Sequence, residues 1–373
     1  MPSGRIVAFD WLRGVAVVVM IQTHALVLLR PELERTRLFT WIVRVDGLVA
    51  PSFLFSAGFA LALVQVRAAL STGPLKWVQA SKPLRRIGEV LFVASLINRI
   101  WFPTWREPKW LLRIDILHCV GLTLLGALPL LVFLAHRPFV LRWLMLGMAL
   151  VVFGSAPLAE NVTGFWSLFA NSRVGFIDDA LGTTFPLLPW SGYVFLGASF
   201  GATVGAMRKE ATLWRWWGLL AAIGATLWFF DAFFERIYPP HHFWVTNPAN
   251  AAQRWTLVLA FVAMLRAVEV RWPNARTLFP AQRLAAFGAA SLSAYFFHQM
   301  LLSQRHVGFF GKVFRGTCTW VTFWPVLAGL IIATYLCVKW WDRIDPLLRA
   351  RLAQRTRRTP SPHEAQNGHR SLR

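Results

Sequence analysis

Residues 9–29 read FDWLRGVAVVVMIQTHALVLL, a stretch in which Asp10, Arg13 and His24 are the only ionisable side chains. A helix needs roughly 20 mainly apolar residues to cross a hydrocarbon core of about 30 Å, and this stretch supplies them. A cleavable leader would end in a small-residue cleavage site, whereas this one runs straight into Arg30 and Pro31, so it reads as a first membrane span. Comparable windows, separated by charged or Pro/Gly-rich breaks, recur near 8–29, 47–66, 87–102, 116–135, 139–156, 186–206, 213–234, 254–268, 284–304 and 320–341. The eighth is short and could begin earlier, around Asn250. The expected fold is all-α, a polytopic integral membrane bundle of about ten transmembrane helices.

Composition agrees. Hydrophobic residues make up 56% of the chain and charged residues 15%, with a mean hydropathy of +0.48, where a soluble domain carries about 25% charged residues. The spans fill residues 1–342, leaving a basic segment over 343–373 that is expected to be a disordered cytoplasmic tail. A net charge of +22 is accounted for by the Lys and Arg that collect in cytoplasmic loops and are held by anionic lipid headgroups, so nucleic acid is not an expected partner. Arg67, Lys76, Lys82, Arg85 and Arg86 follow the second span without an acid, which puts that loop and both termini in the cytoplasm. Arg208, Lys209, Arg266, Arg271, Arg276 and Arg283 also fall inside, and Glu160, Asp178 and Asp179 outside. The loop of Arg305, Lys312 and Arg315 is basic yet assigned outside. Cys119, Cys318 and Cys337 form no CxxC pair, so neither a disulfide framework nor a thiolate metal site is indicated.

Within the first span, the eleven residues from Arg13 to His24 return to within about 20° of one helical face, roughly 16 Å further along the axis. Asp10 lies three residues before Arg13, at pairing distance. Ionisable groups inside a membrane are costly and mark substrate or ion pathways, so Asp10, Arg13 and His24 are the first candidates for catalysis. An interfacial ion pair with a capping histidine is the purely structural alternative. Histidine is the side chain most easily tuned to carry a proton near neutral pH, and it also serves as a nucleophile.

The segment RIVAFDWLRGVAVVVMIQTH resembles the opening helix of transmembrane acyltransferases. The likeness continues through VDGLVAPSFLFSAGFALAL, ILHCVGLTLLG, FPLLPWSGYVFLGASFG and SLSAYFFHQMLL in the second, fourth, sixth and ninth spans. Taken in order, these segments are most similar to the heparan-alpha-glucosaminide N-acetyltransferase catalytic-domain family. That family places a catalytic histidine in the loop after the first span, and here the loop from Arg30 to Asp46 contains none. The arginine and histidine separated by ten residues, Arg13 and His24, instead resemble the first helix of acyltransferase type 3 proteins.

The resemblance implies a multi-pass enzyme, expected in a bacterial inner membrane, that takes an acyl group, expected to be acetyl, from cytoplasmic acyl-CoA. It would pass this group to a carbohydrate or glycolipid acceptor on the outer face, with His24 as general base or as the acylated group, and a homodimer is left open. Arg85 and Arg86 could grip the phosphates of the donor, because arginine offers a planar fork of donors; ordinary cytoplasmic charge is the alternative. His118 with Asp115, and His298 in mid-span, are secondary candidates, since a lone span histidine is often only a link between helices. Pro189 and Trp190 have structural explanations at a helix start and an interface. Asn161-Val162-Thr163 matches a short glycosylation pattern of little specificity. His241 and His242 lack metal-ligand spacing and read as a solvated loop, and no metal is expected. A secondary transporter and a non-catalytic partner in envelope-glycan assembly are the rival readings.

Overall fold

A computed structural model describes residues 6–101, 106, 113–160, 185–207, 210–303 and 307–358. Described residues are helical almost throughout and form no strand beyond one isolated bridge, Leu29 with Cys318. The helices are α1 (Val7–Ala25), α2 (Arg37–Asp46), α3 (Val49–Thr72), α4 (Ser81–Trp101), α5 (Ile116–Leu134), α6 (Pro138–Ala159), α7 (Leu187–Ala206) and α8 (Glu210–Phe229). They continue with α9 (Asp231–Ile237), α10 (Phe243–Thr246), α11 (Pro248–Arg271), α12 (Phe279–Ala289), α13 (Ser291–Ser303), α14 (Phe309–Phe314) and α15 (Trp320–Arg358). The protein is an all-α membrane bundle.

Length and apolarity support seven of these stretches as spans, or eight when α8 and α9, bent by 60° at their junction, count as one. The window at 87–102 belongs to a helix that opens with Lys82, Arg85, Arg86 and Glu89 and is too polar to qualify. The window at 284–304 is broken at Ala290 into α12 and α13. The eighth window proves longer than its apolar centre: Asn247 accepts the Ala249 N–H at 2.8 Å, and this cap with Pro248 starts the helix early. The last helix continues past residue 342 to Arg358; residues 359–373 lie outside the described residues, as do Asn161-Val162-Thr163, Asp178, Asp179, Arg208, Lys209 and Arg305.

Where lipid replaces water, helices associate through close packing, and small residues let backbones approach. A Cβ on Gly58 would run into the Val194 carbonyl, and one on Gly197 into the Phe55 carbonyl, so α3 and α7 lie against each other backbone to backbone. This pair centres a core shared with α5, α6, α8 and α11. A second apolar core joins the later part of α1 to α13 and α15. Helix α1 is the seam, contributing Phe9 and Leu12 to the first core and Val17, Met20, Ile21 and Ala25 to the second.

The two ends of α1 are fixed by different chemistry. At its start, Glu269 of α11 is fully buried and accepts the N–H groups of Val7 at 2.9 Å and Ala8 at 3.3 Å. That carboxylate satisfies donors that a helix start leaves unpaired, and it is neutralised by Arg266 at 2.8 Å and Arg276 at 3.0 Å. Beyond the other end, Thr317 and Cys318 donate to the Leu28 carbonyl, and Arg30 donates to that of Cys318.

Candidate active site

The polar groups of α1 divide between its ends. Near the start, Arg13 Nη2 donates to Asp10 Oδ1 at 2.7 Å, with Asp10 only 3% exposed. The Arg13 Nε is buried and has no partner among the described residues. Arg85 and Arg86 are exposed, Arg85 lying 3.5 Å from Glu89. Phe9 stacks on Phe59 at 3.6 Å, so the end of α3, and with it the start of α4, lies on the Arg13 side of the bundle.

At the other end, His24 Nδ1 lies 3.0 Å from His298 Nε2, the rings nearly stacked with centroids 5.0 Å apart. Helix α13 brings His298 there, fully buried, because the break at Ala290 lets α12 and α13 follow α1 along its length. The crossing needs Gly14 and Gly288: a Cβ on Gly14 would strike the Leu284 carbonyl, and one on Gly288 the Asp10 carbonyl. His298 Nδ1 is 2.9 Å from the Ala294 carbonyl of its own helix. A carbonyl can only accept, so that nitrogen carries the proton, and neutral His298 presents a lone pair at Nε2. His24 Nδ1 must then donate to it, which leaves the His24 Nε2 lone pair for chemistry. Two sequence candidates that α1 and α13 supply from 274 residues apart thus form one unit.

A second pair stands nearby. Asp115 caps α5, accepting the N–H groups of Leu117 at 3.0 Å and His118 at 3.1 Å. Its Oδ1 also accepts from His118 Nδ1 at 2.9 Å, and His118 Nε2 faces Ser95 Oγ at 3.5 Å. Helices α4 and α5 form an antiparallel hairpin, in which Asn98 donates to the Arg113 carbonyl at 2.7 Å. Arg85, ten residues before Ser95, therefore sits about 15 Å along α4 from this pair. The Asp115 carboxylate acts electrostatically on His24 and on Tyr295, so the two histidine pairs share one field. Arg113, ahead of α5, is half-buried; burial lowers its pKa from the ordinary value, and the Asp115 charge opposes that.

Several residues escaped the sequence reading. Tyr295 packs edge-on to both His298 and His24, at centroid distances of 5.4 and 6.3 Å, and Gln299 is buried beside them. Both lie within the quoted segment SLSAYFFHQMLL, where their spacing from His298 was the available signal. Asp46 is buried and takes a long 3.4 Å hydrogen bond from Gln22 of α1. Glu269 stood out as the lone acid among Arg266, Arg271, Arg276 and Arg283. The loop of His241 and His242 is largely exposed, as expected, and is also anchored. Buried Glu160 accepts from the His242 N–H at 2.8 Å and from Thr246 Oγ1 at 2.7 Å, and His241 Nε2 lies 3.1 Å from Asn247.

Comparison with curated proteins finds no match. A match to a known family does exist, and it spans residues 5–230, which include Asp10, Arg13, His24, Arg85, Arg86, Asp115 and His118 but not His298. It covers more than half of the 373 residues, and its description is heparan-alpha-glucosaminide N-acetyltransferase, catalytic. The chain therefore belongs to the heparan-alpha-glucosaminide N-acetyltransferase catalytic family, a family of membrane acetyltransferases.

Proposed function

We propose that this membrane acetyltransferase receives its acyl group from acyl-CoA, acetyl-CoA in the first instance, at the cytoplasmic end of α1. It delivers the group to a sugar hydroxyl or amine of a glycan or glycolipid at the opposite, outer end. The single observation that carries this reading is the His24–His298 hydrogen bond, which leaves His24 Nε2 with a free lone pair.

In the proposed reaction the acceptor oxygen or nitrogen attacks the thioester carbonyl while His24 Nε2 takes its proton. The C–S bond breaks, and the coenzyme A thiolate leaves and recovers that proton from His24. His298 acts through His24, holding its ring and tautomer as an orienting group does for any general base. Asp115 and His118 supply a negative field and a second oriented imidazole beside the acceptor.

Arg13 has the right chemistry for a polar part of the donor, because its buried Nε is a charged donor with no acceptor among the described residues. Asp10 holds the rest of the guanidinium in place. Arg85 and Arg86 are exposed enough to meet the donor's phosphates as it approaches, and the single nucleotide end of the donor would then face the same side as Arg13.

Purified protein given acetyl-CoA and a panel of amino sugars and glycans tests the reading. Wild type should transfer the acyl group, and His24→Ala should lose about 10²–10⁴ of the rate, the usual share of a general base. Equal transfer by both would remove His24 from the mechanism.

A further inference from the structure

On the side of α7 away from α1, Arg142 of α6 sits in an aromatic cage. Its guanidinium carbon lies 4.6 Å from the Phe139 ring centroid, 4.9 Å from that of Trp216 and 5.9 Å from that of Trp143. Among the described residues no carboxylate pairs with it, and its Nε is buried without an acceptor. Buried donors in native proteins are almost always satisfied, and Arg142 is the orphaned charged donor that borders open space.

A cavity of about 150 Å³ opens next to this cage, lined by Arg142, Phe139, Thr203, Ala206, Met207 and Thr212 among others. The small side chains of Ala202 and Ala206 leave room within it. Its surroundings are apolar and exposed: Phe139, on the lining, is 64% accessible, and Trp143, beside Arg142, is 42% accessible. In a chain that spans a bilayer, exposed aromatic and aliphatic side chains of this kind face lipid. A soluble anion would leave those side chains uncovered, whereas a phospholipid brings both an acceptor for the guanidinium and acyl chains to cover them. Trp and Arg at this depth match the interfacial belt, where headgroups and hydrocarbon meet.

We infer that the Arg142 cleft is a binding site for the headgroup phosphate of an anionic phospholipid. Arg142 donates to the phosphate oxygens, and the acyl chains lie along Phe139 and Trp143. The proposal is independent of the acetyltransferase chemistry, which occupies the other side of α7.

Thermal unfolding of the full chain in a neutral detergent tests it, with phosphatidylglycerol, phosphatidylcholine or inorganic phosphate added separately. Phosphatidylglycerol should raise the midpoint of wild type and phosphatidylcholine should do so far less. Arg142→Gln should weaken the phosphatidylglycerol response about five- to tenfold in concentration, the loss of one basic contact, while Arg142→Lys keeps most of it. Should Arg142→Gln fail to fold, Ala206→Phe fills the cleft without touching the guanidinium and should abolish the response. An undiminished phosphatidylglycerol response in Ala206→Phe, or in a folded Arg142→Gln, overturns the site. A shift with inorganic phosphate as large as that with phosphatidylglycerol overturns the lipid as its occupant.

Discussion

In the proposed reaction His298 acts through His24, and the two roles are separable by kinetics. Replacing His298 with Ala removes the acceptor that fixes the His24 tautomer. It should lower kcat about ten- to a hundredfold while leaving the KM for the acyl donor nearly unchanged. A His298→Ala enzyme with wild-type kcat would reduce the contact to packing. Arg13→Ala should do the reverse, raising the KM for acyl-CoA more than it lowers kcat, because its proposed partner is donor substrate in both ground and transition states. Steady-state kinetics against donor concentration distinguishes the two. Glu269 makes a different kind of prediction. It is fully buried between Arg266 and Arg276, and breaking such a network from one side costs about 3–5 kcal/mol. Glu269→Gln should therefore lower the unfolding midpoint sharply, whatever it does to activity.

Among the helices, α3 and α7 depend on glycine for their approach. A side chain at Gly197 would meet the Phe55 backbone, which cannot move aside as a flexible side-chain end could. Overpacking costs about 1–3 kcal/mol when neighbours relax, and here they are backbone, so Gly197→Leu should fall at or beyond the upper end. Measured folded yield in detergent would show it. The capping of α5 is milder: Asp115→Ala removes an N-cap worth about 1 kcal/mol. It should still cut activity more than that stability loss explains, because the same carboxylate orients His118 and acts on His24. Asp115→Asn, which keeps a capping oxygen, should recover stability without recovering activity.

For the whole molecule, the spacing of charges along α1 makes a geometric claim. Arg13 and His24 are about 16 Å apart along the helix axis, and each belongs to a different end of the bundle. In sealed proteoliposomes with an acceptor trapped inside, acetyl-CoA added outside should acetylate that acceptor from molecules in one orientation. Transfer that requires donor and acceptor on the same face would defeat a path along α1. At the start of α1, fully buried Glu269 joins α1 to α11 and holds that end of the helix in place.

Much of this was legible in the linear chain, for a definite reason. Apolar length and charge are local properties, so the first span, the all-α bundle, the Asp10–Arg13 pair and the Asp115–His118 pair could be read from spacings of three or four residues. The early start of α11 was partly legible in the Asn-Pro pair at 247–248. The break of α12 from α13 was not, because apolar composition continues across Ala290 and only packing against α1 shows the need for it. Likewise, nothing local links His24 to His298, or Val7 to Glu269: 274 and 262 residues separate them. Composition and periodicity determined that this chain enters a membrane as helices and which helices carry charge. Tertiary packing alone decided which distant groups meet, because the glycine-mediated approach of α1 to α12, with α13 following it, is what turns two isolated histidines into one oriented pair.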